Sequence, residues 1–179
     1  MSVNYETYQP GDYVTRMLEH QSTPGRMLDV GCRMGYTAVY FARLGYEVDA
    51  LDIDPEPLAQ LEAQATQENL PITVHQADMY KWQPSTEYDL VVMDKSIYFL
   101  QPQQIFPTVK KYQAVTKLGG LHATSIWSDE NPGESPRYKM GKYGLYNMYP
   151  VPEWNILQRW RPTNDSGQIF YAVTAQRVA

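Results

Sequence analysis

A glycine-bearing turn and several carboxylates recur along this 179-residue chain at intervals that could hold a small polar ligand. Leu28-Asp29-Val30-Gly31-Cys32-Arg33-Met34-Gly35 follows a short apolar run and precedes a helix-forming stretch. Glycine at a strand-to-helix turn lets the backbone approach a ligand, and the amino end of the helix offers unpaired N–H groups. A dinucleotide fingerprint needs G-x-G-x-x-G, whereas Gly31 and Gly35 stand in G-x-x-x-G with Arg33 between them, which disfavours a nicotinamide enzyme. Asp52 closes a second apolar run about 20 residues past the loop, where an acid can take both hydroxyls of a ribose. Asp78 closes a third, in Ala77-Asp78-Met79, and could accept a hydrogen bond from an adenine amino group. Together with Asp29 these acids suit a nucleoside that carries a cationic group and no phosphate. Each also has a plainer reading: Asp52 or Asp54 can cap the next helix, and Asp78 can cap a turn.

Asp94 ends a fourth apolar run and is followed by Lys95, Ser96 and Tyr98. It could orient a substrate or carry a proton, or simply cap the next helix. His122 lies inside a strand and reads as a packed core histidine rather than a base. Cys32, the single cysteine, cannot form an internal disulfide and reads as a small buried apolar group, not a reactive thiol. No Cys and His spacing would hold zinc, no metal ligand set is expected, and no G-x-S-x-G elbow occurs. Late basic residues, Arg137, Lys139, Lys142, Arg159 and Arg161, form either a solvated surface or a local patch for an anionic substrate.

The elements that must position these residues emerge from apolar periodicity. Val14, Met17 and Leu18 predict a short helix over 11–20, and STPG at 22–25 a turn. Met27, Leu28 and Val30 predict a buried strand, with a helix after Gly35 running through Tyr40 to Leu44. YEVDALDID predicts a second strand, and Pro55 opens a helix carrying Leu58, Leu61 and Ala65. Strands come next over 72–78 and 88–94, the latter apolar without alternation, as a central parallel strand should be. A helix over 103–115 is expected to end at the Gly119, Gly120 pair, with a strand over 121–127. Residues 128–144 concentrate Pro, Gly and charge and predict a functional loop or lid. WNILQRW (154–160), TNDSG (163–167) and IFYAVTAQ (169–176) predict a terminal antiparallel hairpin. Such strand and helix alternation implies right-handed crossovers, a mostly parallel sheet, and ligand sites outside the carboxyl ends of the strands.

Composition narrows the class. The length fits one domain, and 43% apolar residues can build one core. No apolar run approaches 18 residues and the N-terminus lacks a signal-peptide pattern, so a cytoplasmic protein with no membrane partner is expected. A net charge of −5 argues against a nucleic-acid partner. Most of the 15 tyrosines are expected at the core edge, ring buried and hydroxyl wet.

On the motifs LDVGCRMG, VDALDID, QADM and YDLVVMDKSIYFL, the chain resembles the seven-stranded S-adenosylmethionine-dependent methyltransferases over roughly residues 12–127. Within them, GRMLDVGC, FARLGYEVDALDIDP and EYDLVVMDKSIYFL are most similar to the tellurite-resistance methyltransferases. The resemblance implies an α/β fold: a three-layer, Rossmann-like, seven-stranded, mostly parallel sheet with a C-terminal antiparallel hairpin, one domain over 1–179 with a lid near 128–148. It implies S-adenosylmethionine held by Asp29, Gly31, Cys32, Arg33, Gly35, Asp52, Ile53, Asp78, Met79 and Asp94. Asp94 and Tyr98 would be catalytic, and the acceptor a small molecule, such as a metalloid oxyanion like tellurite or a thiol-like group. A monomer or homodimer is expected. The family carries glycine where this chain has Arg33, whose side chain would either crowd the methionine end of the cofactor or pair with its carboxylate. The first outcome leaves open a catalytically degenerate cofactor-binding protein as the alternative. The tail also lacks the His and Arg residues expected of the tellurite-resistance group.

Overall fold

The four apolar runs read from the sequence become adjacent strands. In the computed structural model, which describes residues 5, 10–21, 23–133 and 137–179, β1 is Arg26–Val30, β2 Glu47–Asp52, β3 Ile72–Gln76 and β4 Tyr88–Met93. With β5 (Thr116–Trp127), β6 (Trp154–Trp160) and β7 (Phe170–Arg177) they form one seven-stranded sheet in the order β3-β2-β1-β4-β5-β7-β6. The first five strands are parallel, while β7 is antiparallel to both β5 and β6. The chain reverses its direction of winding between β1 and β4, so the carboxyl ends of those strands open a crevice, the usual ligand position in such sheets.

Helices cover both faces because β1 and β4 are apolar on both sides. One face carries Val14 and Met17 from the amino-terminal turns, Phe41 from α2 (Tyr36–Arg43), and Leu58 and Leu61 from α3 (Pro55–Glu68). The other carries Ile105, Val109 and Tyr112 from α4 (Pro102–Ala114), and Leu145 from α5 (Lys142–Tyr146). Here α1 is Asp12–Thr15, and a 3-10 turn, Arg16–His20, completes the segment expected as one helix. Asp54 caps α3 by accepting from the Glu56 N–H at 3.2 Å, with Pro55 at the first helical position. Leu61 is fully buried, and its truncation to alanine would cost about 2–5 kcal/mol.

Two expectations are corrected. The Gly119, Gly120 pair does not end a helix: α4 stops at Ala114, β5 begins at Thr116, and the pair lies in an irregularity of the β4–β5 pairing. A Cβ on Gly120 would lie 2.9 Å from the Lys117 carbonyl and 3.0 Å from the Asp89 carbonyl, so the glycine serves a close backbone approach within the sheet. Nor are the tyrosine hydroxyls generally wet. Tyr112 is fully buried and donates to the Met79 carbonyl at 2.9 Å, and buried Tyr149 bonds His122 and Thr124, because a buried hydroxyl without a partner is costly.

Residues 134–136 of the expected lid, Ser22 of the expected turn and most of the first nine residues lie outside the described set. The rest of the lid is tied down. Ser128 bridges to Met140, the Asn131 side chain bonds both backbone groups of Ile169, and the Lys139 ammonium donates to the carbonyls of Asn131 and Gly133.

Candidate cofactor and acceptor cleft

The carboxyl ends of β1, β2 and β4 frame a cleft of about 670 Å³. On its floor, Gly31 leaves β1 with φ +75°, and its N–H and that of Cys32 both donate to the Leu51 carbonyl. A Cβ on Gly31 would stand 2.4 Å from the Ser96 Cβ, so this position brings two loops closer than a side chain allows. Arg33 also lies in the left-handed region, at φ +52°, where glycine would sit without strain. Its N–H donates to Asp52 Oδ2 at 2.7 Å while its exposed side chain lines the cleft. Gly35 does not line the cleft. It precedes α2 at φ +68°, and a Cβ there would run into the Leu61 methyls at 2.4 Å, so its task is packing against α3.

The three acids stand at the ends of β1 and β2 and just beyond β3, which are neighbours in the sheet. Asp52 takes the Arg33 N–H on one oxygen and the Asp54 N–H on the other at 3.0 Å, a pair of bonds that fixes the carboxylate and leaves each oxygen a second lone pair. Asp54, not Asp52, caps the helix. Asp78 caps its turn, Oδ1 accepting from the Tyr80 N–H at 2.8 Å, and the residue lines an adjoining hollow of about 220 Å³ with Asp52, Ile53, Met79 and Phe99. Asp29 is buried, accepts from the Ala38 N–H in α2, and keeps Oδ2 without a partner. Burial, reinforced by the Asp94 charge, pushes its pKa up to about 8.

Across the cleft, Asp94 follows β4 and takes two hydroxyls on Oδ1, those of Tyr13 and of Ser125, the latter at 2.7 Å. Tyr98 is buried against Trp127 and Phe170, and burial raises its pKa with the Arg137 charge opposing. The Arg137 guanidinium lies 4.8 Å from the Trp127 ring centre and 5.2 Å from that of Phe99. Cys32 is partly buried, and burial holds its thiol well above its ordinary range, which fits the packing role. Ile53 and Met79 line the cleft. His122 is fully buried and bonded to Tyr149 at 2.6 Å, and burial lowers its pKa to about 3, so it is a core histidine.

The late basic patch disperses. Arg161 pairs with Glu130, Arg159 lies over Tyr146, Lys139 holds backbone carbonyls, and Arg137 reaches the cleft. Sequence reasoning missed Tyr13, Ser125 and Phe99, and also Lys111, whose ammonium donates to the carbonyls of Met79, Tyr80 and Trp82 at 2.6, 2.9 and 2.7 Å. That clamp shapes the loop carrying Asp78 and Met79. A lysine on a helix some 30 residues further along the chain gives no signal of it. Among the described residues no group of His, Cys, Asp and Glu could hold a metal ion, and no helix is long and apolar enough to cross a membrane.

A probable S-adenosyl-L-methionine-dependent methyltransferase, TehB, of Haemophilus influenzae (strain 10810) is 28% identical over 139 residues, covering 76% of this chain and 48% of that protein. The chain thus spans about half the length of that curated relative. The crystal structure of TehB from Haemophilus influenzae superposes with a TM-score of 0.83 at 23% identity, over 96% of this chain and 63% of that one. A Burkholderia thailandensis 1,6-didemethyltoxoflavin-N1-methyltransferase, solved with its namesake compound and S-adenosylhomocysteine, superposes at 0.80 with 16% identity, over 94% of this chain and 78% of that one. These likenesses establish the fold. The family model described as Tellurite resistance protein TehB matches residues 5–158, most of the chain, which therefore belongs to the TehB family.

Proposed function

We propose that the cleft binds S-adenosyl-L-methionine and that the chain is a methyltransferase acting on a small anionic acceptor, such as a metalloid oxyanion like tellurite or a thiol-like group. The observation that carries this is a division of charge: Asp52 and Asp78 gather on the β1–β3 side, where the buried Asp29 holds its proton up to about pH 8, while Arg137 and Lys95 line the β4 side with Asp94. A cationic nucleoside suits the first, and the second suits an acceptor that offers an anionic group to Arg137 and Lys95 and a hydroxyl or thiol proton to Asp94. The residues fit the cofactor on structural grounds. Gly31 leaves a cradle that a Cβ would fill, Asp52 is fixed with spare lone pairs, and Asp29 holds an unpartnered oxygen at the cleft.

When bound, the cofactor supplies an electrophilic methyl group. Asp52 would take the ribose hydroxyls, Asp78 the adenine amino group, and Ile53, Met79 and Phe99 the faces of the base. Arg33 would pair with the cofactor carboxylate, and Asp94 and Tyr98 would orient the acceptor. Placement of the acceptor does most of the chemistry's work, roughly 7–11 kcal/mol in favourable cases. The same reading takes residues 1–179 as one methyltransferase domain, with 128–148 covering the acceptor side, and the protein as cytoplasmic, monomeric or homodimeric.

Calorimetric titration with S-adenosylmethionine and S-adenosylhomocysteine, followed by transfer of a labelled methyl group to tellurite, selenite and simple thiols, tests it. Binding with transfer is the expected result. Binding without transfer to any acceptor would indicate a degenerate binding protein, and no binding would overturn the reading.

A further inference from the structure

Asp94 is held from two directions by groups that the preceding roles leave unused. Ser125, in β5, donates to Asp94 Oδ1 at 2.7 Å and accepts from the Lys95 N–H at 2.7 Å, so one hydroxyl fixes both the carboxylate and the turn after it. That turn needs fixing, because Lys95 has φ +50° and lysine adopts such a conformation only when its surroundings enforce it. The second hydroxyl comes from Tyr13, 81 residues earlier in the chain, and lands on the same oxygen. Tyr13 is held independently of that bond. Its ring is buried, and its carbonyl accepts from Thr174 Oγ1 of β7 at 2.8 Å. The residue before α1 is Gly11, where a Cβ would stand 2.8 Å from the Tyr13 ring. Both hydroxyls therefore occupy Oδ1, while Oδ2 has the Lys95 ammonium 3.8 Å away and Asp94 lines the cleft.

We infer that Tyr13 and Ser125 are positioning residues that lock Asp94 in one orientation, so that a single carboxylate oxygen, Oδ2, addresses the acceptor. The inference rests on the methyltransferase reading above. Misplacement of a reacting partner by about an ångström costs on the order of 100-fold in rate, so a rotated Asp94 would be felt in turnover before it is felt in cofactor binding.

The test compares Tyr13→Phe, Ser125→Ala and Ser125→Thr with the wild type, using labelled S-adenosylmethionine with sodium selenite, sodium tellurite or 2-mercaptoethanol, whichever the wild type methylates. Expected are a kcat lowered about 10- to 100-fold in Tyr13→Phe and Ser125→Ala, with cofactor Kd and thermal midpoint near wild type, and recovery in Ser125→Thr. Gly11→Ala keeps both hydroxyls but displaces the Tyr13 ring, and should reproduce the kcat loss. Unchanged kcat in Tyr13→Phe and Ser125→Ala overturns the inference alone. A loss of Kd or thermal midpoint with kcat retained assigns them a merely structural role and also overturns it. A wild type that binds cofactor but methylates none of the three probes removes the activity reading, and this inference with it.

Discussion

The β1–β3 side of the cleft takes its acids from three neighbouring strand ends, whereas the β4–β5 side assembles Asp94, Ser125, Tyr13 and Arg137 from distant segments, with Tyr13 and Ser125 alone 112 residues apart. The first is a local product of three strand-and-turn units, each placing one carboxylate beside the backbone that fixes it. The second exists only after the sheet has formed and the amino-terminal turns have packed beside β7. A change on the first side should therefore act on cofactor affinity, and a change on the second on turnover and acceptor affinity.

The largest effect expected from breaking this comparison is at Asp29, and it is on stability. Its pKa in the folded chain, about 8, lies above the ordinary 3.8, so the folded state holds a proton that the unfolded state gives up. The stability this group supplies is complete below about pH 4 and is lost as pH rises to about 8. Asp29→Asn should flatten that slope, by a difference on the order of a few kcal/mol at about pH 9, in urea unfolding at several pH values. Parallel slopes for both proteins would show that Asp29 is ionised in the fold.

Asp52→Ala comes next. Removing a charge-assisted hydrogen bond to each ribose hydroxyl should weaken S-adenosylmethionine by at least about 1.5–3 kcal/mol, or roughly 10- to 150-fold, in calorimetry. An unchanged Kd would take the ribose role from Asp52. On the opposite side, Arg137→Ala should raise the acceptor KM about tenfold or more by removing a charge-assisted contact, while leaving cofactor Kd alone. A cofactor Kd that moved with it would mean that the two sides are not separable.

The smallest effects sharpen the cofactor side. Asp78→Asn should erase a preference for the adenine over the inosine form of the cofactor, a difference near one hydrogen bond, about 1 kcal/mol. Arg33→Gly relieves a left-handed residue at the entropic cost of a glycine, so folding stability should change by no more than about 1 kcal/mol. The same variant should bind S-adenosylmethionine more weakly while decarboxylated S-adenosylmethionine binds as before. Tighter binding of both would show that the side chain crowds the pocket.

Much of this architecture was legible in the residues themselves. Period and punctuation sufficed for β1 to β4, for α3 behind Pro55 and for the terminal hairpin, because a buried parallel strand must be apolar throughout and a turn must carry its Gly, Pro or Asp. The acids at the strand ends were legible for the same reason: Asp52 and Asp78 follow strand-forming runs, Asp29 interrupts one just before the glycine turn, and the sheet order makes their sites adjacent. Where reading failed, the cause was tertiary. The Gly119, Gly120 pair looks like a helix stop until β5 is seen to pass the Asp89 carbonyl closely enough to exclude a Cβ. The basic residues after 136 look like one patch until the fold sends Arg161 to Glu130, Lys139 to backbone carbonyls and Arg137 to the aromatic wall.

By itself, then, the chain determined the sheet, helices α2 to α4 and the acidic, glycine-cradled half of the cleft, since these depend on hydrophobic periodicity and on residues next to one another, whereas α5 inside the expected lid left no such pattern. Only the tertiary structure decided which hydroxyls grip Asp94, which lysine clamps the loop after β3, and which of the late cations lines the cleft. Those contacts join residues whose separation along the chain carries no pattern, and they acquire a meaning only when packing sets the distance between them.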